Sequence, residues 1–321
     1  MNKCILPFTL DVELKAYHNR AFPLGAMKGN IFDYDYLLCN KFINCRYRED
    51  GILETSEDYF WFSDDGVTKI QRMMMNSVSY RAKGINLITL NKEMLCEGAY
   101  ITGLYNEYYI KETEAYQKKD FLHDYIIFGY DDEKQVFKSA AYLADKKYRY
   151  YDISYEDYYN SIVESKSDCL VVRYNTVDKE YIPKLNIPSI KEELENYFYS
   201  RKNMQDSYKA CYGLEAWAKL EEYVRKIDEK KLDIRFGRVY MEHRLLMHMR
   251  IKKLVEHCII DDVNLCKAYY EKVCEPSYKV HLLFMKYNMT KSGKTKQYIL
   301  ELMQEINFNE SELINILIKQ L

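Results

Sequence analysis

The feature that most constrains the fold is one stretch, residues 121–137, which has the pattern of a β-hairpin. His123 stands ahead of an apolar run, residues 125–128, whose aromatic and β-branched side chains favour a strand. Residues 129–132 (Gly-Tyr-Asp-Asp) have the composition of a turn, and a second β-rich run ends at Phe137. The pattern predicts two antiparallel strands, with His123 at the mouth of the first.

Other parts of the first half predict further strands and one well-marked helix. Ser154 is followed by two acidic residues, which is typical of a helix N-cap, and the helix is predicted to run through Val163. Aromatic and β-branched residues, which favour strands, are concentrated in four segments: residues 84–90, 99–105, 148–153 and 169–174. Strands mixed with short helices predict an α+β fold with an antiparallel sheet.

The second half predicts helices only. Residues 181–189 contain two of the five prolines, which favours a linker or an extended crossover. We therefore predict two domains, an α+β domain of residues 1–183 and a helical domain of residues 184–321. Capping residues mark two helix starts in the helical domain: Asp261 and Asp262 ahead of a helix that stops near Pro276, and Asn309 with Glu312 ahead of the last helix.

Composition and charge exclude several classes of protein. Hydrophobic residues make up 48% and charged residues 30%, and the net charge of -2 gives no electrostatic reason to expect nucleic acid or an anionic membrane. The N-terminal residues lack the apolar core and cleavage site of a signal peptide, and no run approaches the roughly 18 apolar residues of a membrane span. The nine cysteines show no disulfide-framework spacing. We expect reduced thiols and a cytoplasmic protein.

His123 is the strongest candidate for a catalytic side chain. A histidine held by a rigid strand is suited to general acid–base work, although a structural histidine that caps a strand is the alternative. The sequence contains neither a P-loop nor a dinucleotide-binding glycine fingerprint, so no cofactor is predicted. No metal site is predicted either, because four other histidines lack ligand spacing: His243, His248, His257 and His281.

Several segments together resemble the C39-peptidase-like proteins of secondary-metabolite clusters, and most of all the butirosin-biosynthesis N-terminal domain family. The likeness covers most of the chain, and the histidine hairpin is its one specific motif. It implies a papain-like cysteine-protease fold with an antiparallel sheet, followed by an all-helical C-terminal region. The segments that carry it are His123 with residues 129–132, residues 98–101, 152–157, 212–217 and 242–247, and the pair Arg250 and Ile251.

The resemblance also implies a nucleophile at position 16. Family members typically have a cysteine before a Tyr-His-Asn motif, which here is residues 17–19, but this chain has Ala16. An alanine there is either an ordinary core residue of a natural pseudoenzyme or the result of an engineered replacement of cysteine. The preserved pocket sequence favours the engineered replacement. Cys4 is the rival nucleophile, although it precedes Pro7 and no helix begins on it.

The sequence leaves the residue that orients His123 open. In papain-like hairpins this Asp or Asn follows the histidine by about 16 or 17 residues, which here falls on Ser139 and Ala140. Neither side chain can orient an imidazole. Asp145 is the nearest carboxylate beyond them and is the first candidate. Asn106, on the preceding strand, is the second.

The family's chemistry implies an amide-forming acyltransferase, similar to the amide synthetases of polythioamide biosynthesis. A carrier-protein thioester would acylate a cysteine at position 16 with His123 as base, and backbone N–H groups near the helix start would hold the oxyanion. An amine would then take the acyl group. The implied partners are an acyl or peptidyl carrier protein with its phosphopantetheine thioester and an amine acceptor, without nucleic acid or membrane.

Two other functions stay open at this point. A cysteine peptidase or amidase that trims a biosynthetic intermediate would have the same fold and the same triad. A non-catalytic binding protein would keep the fold with a native Ala16.

Overall fold

The computed structural model describes residues 2–48, 50–55, 68–71, 86–165, 172–202, 209–227 and 230–321. The chain divides into two compact units. The first, here called the sheet unit, comprises residues 1–12, 17–32 and 59–182, and the second, here called the helical unit, comprises residues 13–16, 33–58 and 183–321. The main division lies between Ile182 and Pro183. Residues 13–16 and 33–58, however, belong to the helical unit although they lie in the first half of the sequence.

The elements of both units follow one another along the chain in this order: β1 (Lys3–Ile5), α1 (His18–Lys28), α2 (Tyr34–Asn40), β2 (Cys45–Arg48), β3 (Leu53–Thr55), β4 (Thr68–Gln71), α3 (Leu87–Cys96), β5 (Tyr100–Asn106), a 3-10 turn (Glu107–Tyr109), β6 (Leu122–Asp131), β7 (Val136–Tyr142), β8 (Tyr148–Ser154), α4 (Tyr155–Tyr159) continued by a π turn (Asn160–Glu164), β9 (Val172–Val177), α5 (Ile187–Phe198), β10 (Ala210–Tyr212), α6 (Gly213–Lys226), α7 (Ile234–Glu256), α8 (Val263–Tyr269) continued by a π turn (Tyr270–Cys274), α9 (Glu275–Thr290) and α10 (Gly293–Gln320). The predicted combination of helices with an antiparallel sheet, followed by a helical C-terminal region, is confirmed.

The sheet unit is built on an antiparallel sheet in the order β4-β9-β5-β6-β7-β8, and β1 pairs with the far end of β6. The predicted hairpin is β6 and β7, and His123 is the second residue of β6. Its neighbour on the other side is β5, in which Tyr105 lies directly opposite His123. The pairing with β5 covers Leu122–Ile127 and the pairing with β7 covers Ile127–Asp131, so His123 is held in the sheet through β5. One face of the sheet packs on α3 and α4 around a buried core that includes Tyr125, Ile127 and Phe137.

Gly129 is a strand residue and not the turn residue that the sequence predicted. Strand β6 continues to Asp131, and the turn comprises residues 132–135, with the Gln135 N–H donating to the Asp132 carbonyl at 3.3 Å. A Cβ atom on Gly129 would lie 2.6 Å from the carbonyl oxygen of Cys4. The glycine is thus required because β1 approaches the β6 backbone closely at this position.

Of the four other predicted strands, one is a helix. Residues 99–105 and 148–153 form β5 and β8, and β9 begins at Val172, although residues 169–171 lie outside the described part of the chain. The prediction for residues 84–90 is wrong, because α3 begins at Leu87; residues 84 and 85 are not among those described. Asn86 caps this helix by accepting a hydrogen bond from the Thr89 N–H at 3.1 Å. The cap and the buried i, i+4, i+8 positions outweigh the β-branched composition.

The predicted cap at Ser154 is confirmed. Its hydroxyl accepts a hydrogen bond from the Asp157 N–H at 2.9 Å at the start of α4. The helix continues as the π turn to Glu164.

The helical unit contains one small sheet that the sequence did not predict. Strand β10 pairs with β2, and β2 pairs with β3, all antiparallel. The three residues of β10 are too few for a period-2 pattern to be recognised. At the end of β10, Gly213 has φ +54°, a left-handed conformation that favours glycine, and α6 begins there.

The predicted helix caps in the second half have mixed outcomes. Asp262 caps α8 through the Leu265 N–H at 2.9 Å, as predicted. The π turn that continues α8 ends at Cys274, near Pro276 as predicted, and Pro276 lies in the first turn of the next helix. The predicted start at Asn309 is wrong, because α10 begins after its cap Ser292 and continues to Gln320. Its buried face runs on through Ile306, Glu310 and Leu313, and this packing overrides the local capping signal.

None of the helices in the described ranges is both long enough and apolar enough to cross a membrane.

Candidate functional site

The centre of the candidate site is a histidine–carboxylate pair in the sheet unit. Nδ1 of His123 lies 2.7 Å from Oε1 of Glu107. The carboxylate is almost fully buried, with 8% of its side chain exposed, whereas 35% of the imidazole is exposed. A carboxylate bonded to Nδ1 fixes the ring so that Nδ1 donates and Nε2 becomes the nitrogen that exchanges a proton with a ligand.

The register of β5 and β6 places Glu107 beside His123. Glu107 is the first residue after β5, and its N–H donates to the carbonyl of Phe121, just before β6, at 2.9 Å. The Thr113 hydroxyl also fixes the Glu107 backbone, because it donates to the Glu107 carbonyl at 3.0 Å. Both backbone polar groups of Glu107, its N–H and its carbonyl, are therefore hydrogen-bonded, and this fixes the backbone that carries the carboxylate.

Asn106, the second candidate for the orienting residue, stabilises this turn. None of its hydrogen bonds within the described part of the chain goes to the imidazole of His123. Its side-chain oxygen accepts from the N–H groups of Tyr108 and Phe121, both at 3.1 Å. Its amide nitrogen donates to Asp120 at 2.7 Å. Asn106 thus holds together the two chain segments that carry Glu107 and His123.

Asp145, the first candidate, points elsewhere. Its carboxylate lies in the turn between β7 and β8, accepts from the Lys147 N–H at 3.2 Å and pairs with Arg149 at 3.4 Å. Ser139 and Ala140 are buried core residues of β7, and the Ser139 hydroxyl donates to the Ile126 carbonyl at 2.6 Å. The carboxylate that orients His123 is Glu107, which precedes the histidine in the chain instead of following it.

A second imidazole, that of His18, belongs to the same cluster. His18 is the first residue of α1, and its ring lies 4.7 Å from the ring of His123. It stacks on Phe22 at 4.8 Å and on Tyr142 at 5.5 Å. Its Nε2 accepts a hydrogen bond from the Tyr142 N–H at 3.1 Å. His18 was not predicted as a site residue, although it lies in the Tyr-His-Asn motif.

The environment of His18 keeps this ring neutral. It is buried, and burial together with the charge of His123 lowers the pKa of His18 to about 3. His18 is thus uncharged at neutral pH, beside the more exposed His123.

Ala16 is placed in the helical unit. It is buried, and it precedes α1 by two residues, with Tyr17 between them in an extended conformation. Its N–H donates to Oε2 of Glu242 at 3.1 Å, and the Lys15 N–H donates to Oε1 at 2.8 Å. Burial raises the pKa of Glu242, against the opposing effect of Arg238, whose Nε lies 2.7 Å from Oε1. The backbone donor of position 16 is therefore already engaged.

The thiols described in the structure are not placed in contact with His123. Cys4, the rival nucleophile, lies on β1 opposite Tyr130, and burial raises the pKa of its thiol. Burial also raises the pKa of Cys39 to about 11 and that of Cys45 well above its usual range. These are protonated thiols, which are poor nucleophiles. Cys169 lies outside the described residues.

No protein-family model matches this chain, and a search of curated proteins finds no relative. The family resemblance stays a prediction from the sequence.

Proposed function

We propose that this chain has the acyl-transfer site of a papain-like amide synthetase. His123 would be the base and Glu107 the residue that orients it, both in the sheet unit, and the family resemblance implies position 16 as the nucleophile. The observation that supports this most is the 2.7 Å contact between Nδ1 of His123 and the buried Glu107 carboxylate. General-base catalysis needs an imidazole that is oriented through one nitrogen and open to a ligand at the other. The buried Glu107 carboxylate and the partly exposed His123 ring have this arrangement.

The proposed chemistry requires a thiol at position 16. Nε2 of His123 would take the thiol proton, and the sulfur would attack the carbonyl carbon of a carrier-protein thioester. The new C–S bond forms as the carbonyl π electrons move to oxygen, and the pantetheine thiol then leaves with the proton from His123. An amine would then attack the acyl carbon and give its proton to His123. The bond from that carbon to the sulfur at position 16 breaks as the carbonyl re-forms, the sulfur takes the proton from His123, and the amide leaves.

With alanine at position 16, the chain lacks the nucleophile that this reaction requires. An alanine has no lone pair to attack a thioester, so no acyl-enzyme can form at this position. The histidine–carboxylate pair would still bind and polarise a ligand.

A second function, non-catalytic binding, is favoured by one specific observation. The resemblance implies that backbone N–H groups near the helix start hold the oxyanion, and the N–H of Ala16, just before that helix, is bonded to Glu242. A protein that only sequesters an acyl carrier or a peptide has no need of a nucleophile or of that donor.

The test is intact-mass spectrometry on the Ala16→Cys variant with a panel of acyl-loaded carrier proteins. We expect one acyl adduct on the variant, none on the parent chain, and transfer of the acyl group to added amines. Peptide mapping must place the adduct at position 16, because the chain has nine other cysteines. A control variant, Ala16→Cys with His123→Gln, should acylate at least 100-fold more slowly.

Each other outcome selects an alternative. Release of the free acid without transfer to amines would support a hydrolase. No adduct with any carrier, together with saturable carrier binding by the parent chain, would support the binding protein.

A further inference from the structure

His18 has one ring nitrogen that the fold leaves without a partner. Because Nε2 accepts the Tyr142 N–H at 3.1 Å, Nε2 carries no proton. The ring is neutral, so its one N–H proton is on Nδ1. Nδ1 is buried and has no hydrogen-bond partner in the part of the chain that the structure describes. The fold thus fixes a tautomer whose only donor is unused.

An unused buried donor is costly, and this one lies beside the candidate base. A buried polar group without a partner costs about 1–3 kcal/mol, so such groups usually have a ligand or water to bind. The ring that carries this donor is 4.7 Å from the ring of His123 and 94% buried. A second buried donor without a partner among the described residues, the Tyr148 hydroxyl, belongs to a ring 6.2 Å from His18. The cluster therefore contains two buried polar groups, His18 Nδ1 and the Tyr148 hydroxyl, that have no partner among the described residues.

We infer that the Nδ1–H of His18 is the oxyanion donor of this site. It would hydrogen-bond the carbonyl oxygen of the acyl group as that oxygen becomes negative in the attack on the thioester. The inference rests on the proposed acyl-transfer function. The N–H of position 16 cannot be this donor while it is bonded to Glu242 at 3.1 Å, and the Nδ1–H of His18 would take its place.

The neutral state of His18 suits this role. A neutral imidazole donates a hydrogen bond to an oxyanion without giving up its proton, so it does not compete with His123 for acid–base work. In the proposed step the sulfur–carbon bond forms, the π electron pair moves to oxygen, and Nδ1–H holds that charge. When the pair returns, the thiol leaves with the proton held by His123. The proton on His18 stays in place throughout.

Two substitutions separate the two ring nitrogens. Glutamine reaches the position of Nε2 and can still accept the Tyr142 N–H, but it has no donor at Nδ1. Asparagine reaches the position of Nδ1 and can donate there, but it loses the contact with Tyr142. The experiment compares His18→Gln and His18→Asn, each in the Ala16→Cys background, in single-turnover acylation by an acetyl thioester of N-acetylcysteamine.

We expect His18→Gln to acylate about 10²–10³-fold more slowly than the parent variant, because one oxyanion donor is lost. His18→Asn should stay within about tenfold, although it should be the less stable of the two. Unchanged acylation by His18→Gln, or equal losses in both variants with native circular dichroism, would overturn the role of His18 and leave the proposed function standing. No acylation of the Ala16→Cys protein itself would overturn the proposed function and this role with it.

A measurement without substitution at His18 covers the case in which both variants fold poorly. Because the parent chain has Ala16, a thioester that binds to it stays intact during the measurement. The ¹⁵N resonance of His18 should show a neutral ring protonated at Nδ1, and this N–H should shift when the thioester saturates the protein. An Nε2-protonated ring, or no shift at saturation, would contradict the inference.

Discussion

The imidazole of His123 and the carboxylate of Glu107 meet across two neighbouring strands, at 2.7 Å, although they are 16 residues apart in the sequence. Glu107 directly follows β5 and His123 is the second residue of β6, so the hydrogen bonds between the two strands set the geometry of the pair. The pair is therefore as rigid as the sheet that carries it, which is what a base with a fixed tautomer requires.

Glu107 should matter for rate far more than Asp145 does. In the Ala16→Cys background, Glu107→Gln should slow acylation by about 10²–10⁴-fold, because an amide can bind the wrong tautomer of the imidazole. Asp145→Asn is the matched control and should leave the rate unchanged, since Asp145 pairs with Arg149. The measurement is stopped-flow release of the thiol across pH 5–9. Equal effects of the two substitutions would refute the assignment of Glu107.

The stability of the protein should fall in acid because two histidines are buried neutral. Burial, with the charge of His123 in one case and of Arg244 in the other, lowers the pKa values of His18 and His243 to about 3. Between about pH 6.5 and pH 3 the unfolded chain binds protons at these residues and the folded chain does not, so the free energy of unfolding falls as pH falls.

Urea denaturation at pH 7.0, 5.5 and 4.5 measures this dependence. Other groups also titrate in this range, so the informative quantity is the difference between the parent chain and His18→Gln. We expect the substitution to reduce the slope by about 1.4 kcal/mol per pH unit. Identical slopes would mean that folding does not lower the pKa of His18.

Gly129 should not tolerate a side chain. A methyl group there would lie 2.6 Å from the Cys4 carbonyl oxygen, so Gly129→Ala should push β1 away from β6. We expect a loss of about 1–3 kcal/mol in the free energy of unfolding, with faster hydrogen exchange in residues 3–5. Gly293→Ala is the control, because nothing lies within 4 Å of a methyl group at that helix start. A neutral Gly129→Ala would show that β1 is not held at this distance.

The buried ion pair of the helical unit should be strongly coupled. Arg244 and Glu310 lie 2.6 Å apart with both side chains fully buried, and the Tyr269 hydroxyl donates to the same carboxylate. Arg244→Leu should cost about 3–5 kcal/mol, since Glu310 would be left as an unpaired buried charge.

Replacing Arg244 and Glu310 together should restore most of that loss, because no unpaired charge remains. The exposed pair of Lys219 and Glu222, at 3.0 Å, is the control and should contribute under about 1 kcal/mol. Chemical denaturation of the single and double variants measures the coupling. Additive effects at Arg244 and Glu310 would contradict it.

Local patterns predicted much of the secondary structure and the position of one candidate site residue, His123. The hairpin around His123, the strands β5 and β8 and the caps at Ser154 and Asp262 all depend on contacts within a few residues, and the structure confirms them. At Asn309 the local capping signal competed with the packing of a longer helix, and the helix continues through this residue.

The partners of His123 were decided by the tertiary structure alone. No spacing rule connects Glu107 or His18 to His123, because the strand order and register that bring them together depend on the whole sheet. The same holds for the unused donor of His18, which exists only because the Tyr142 N–H occupies the other ring nitrogen. The sequence by itself predicted many of the short strands and helices and named His123 as a candidate base. The packing of distant segments determined which groups touch that base, since side-chain contact depends on non-local geometry that a linear pattern does not contain.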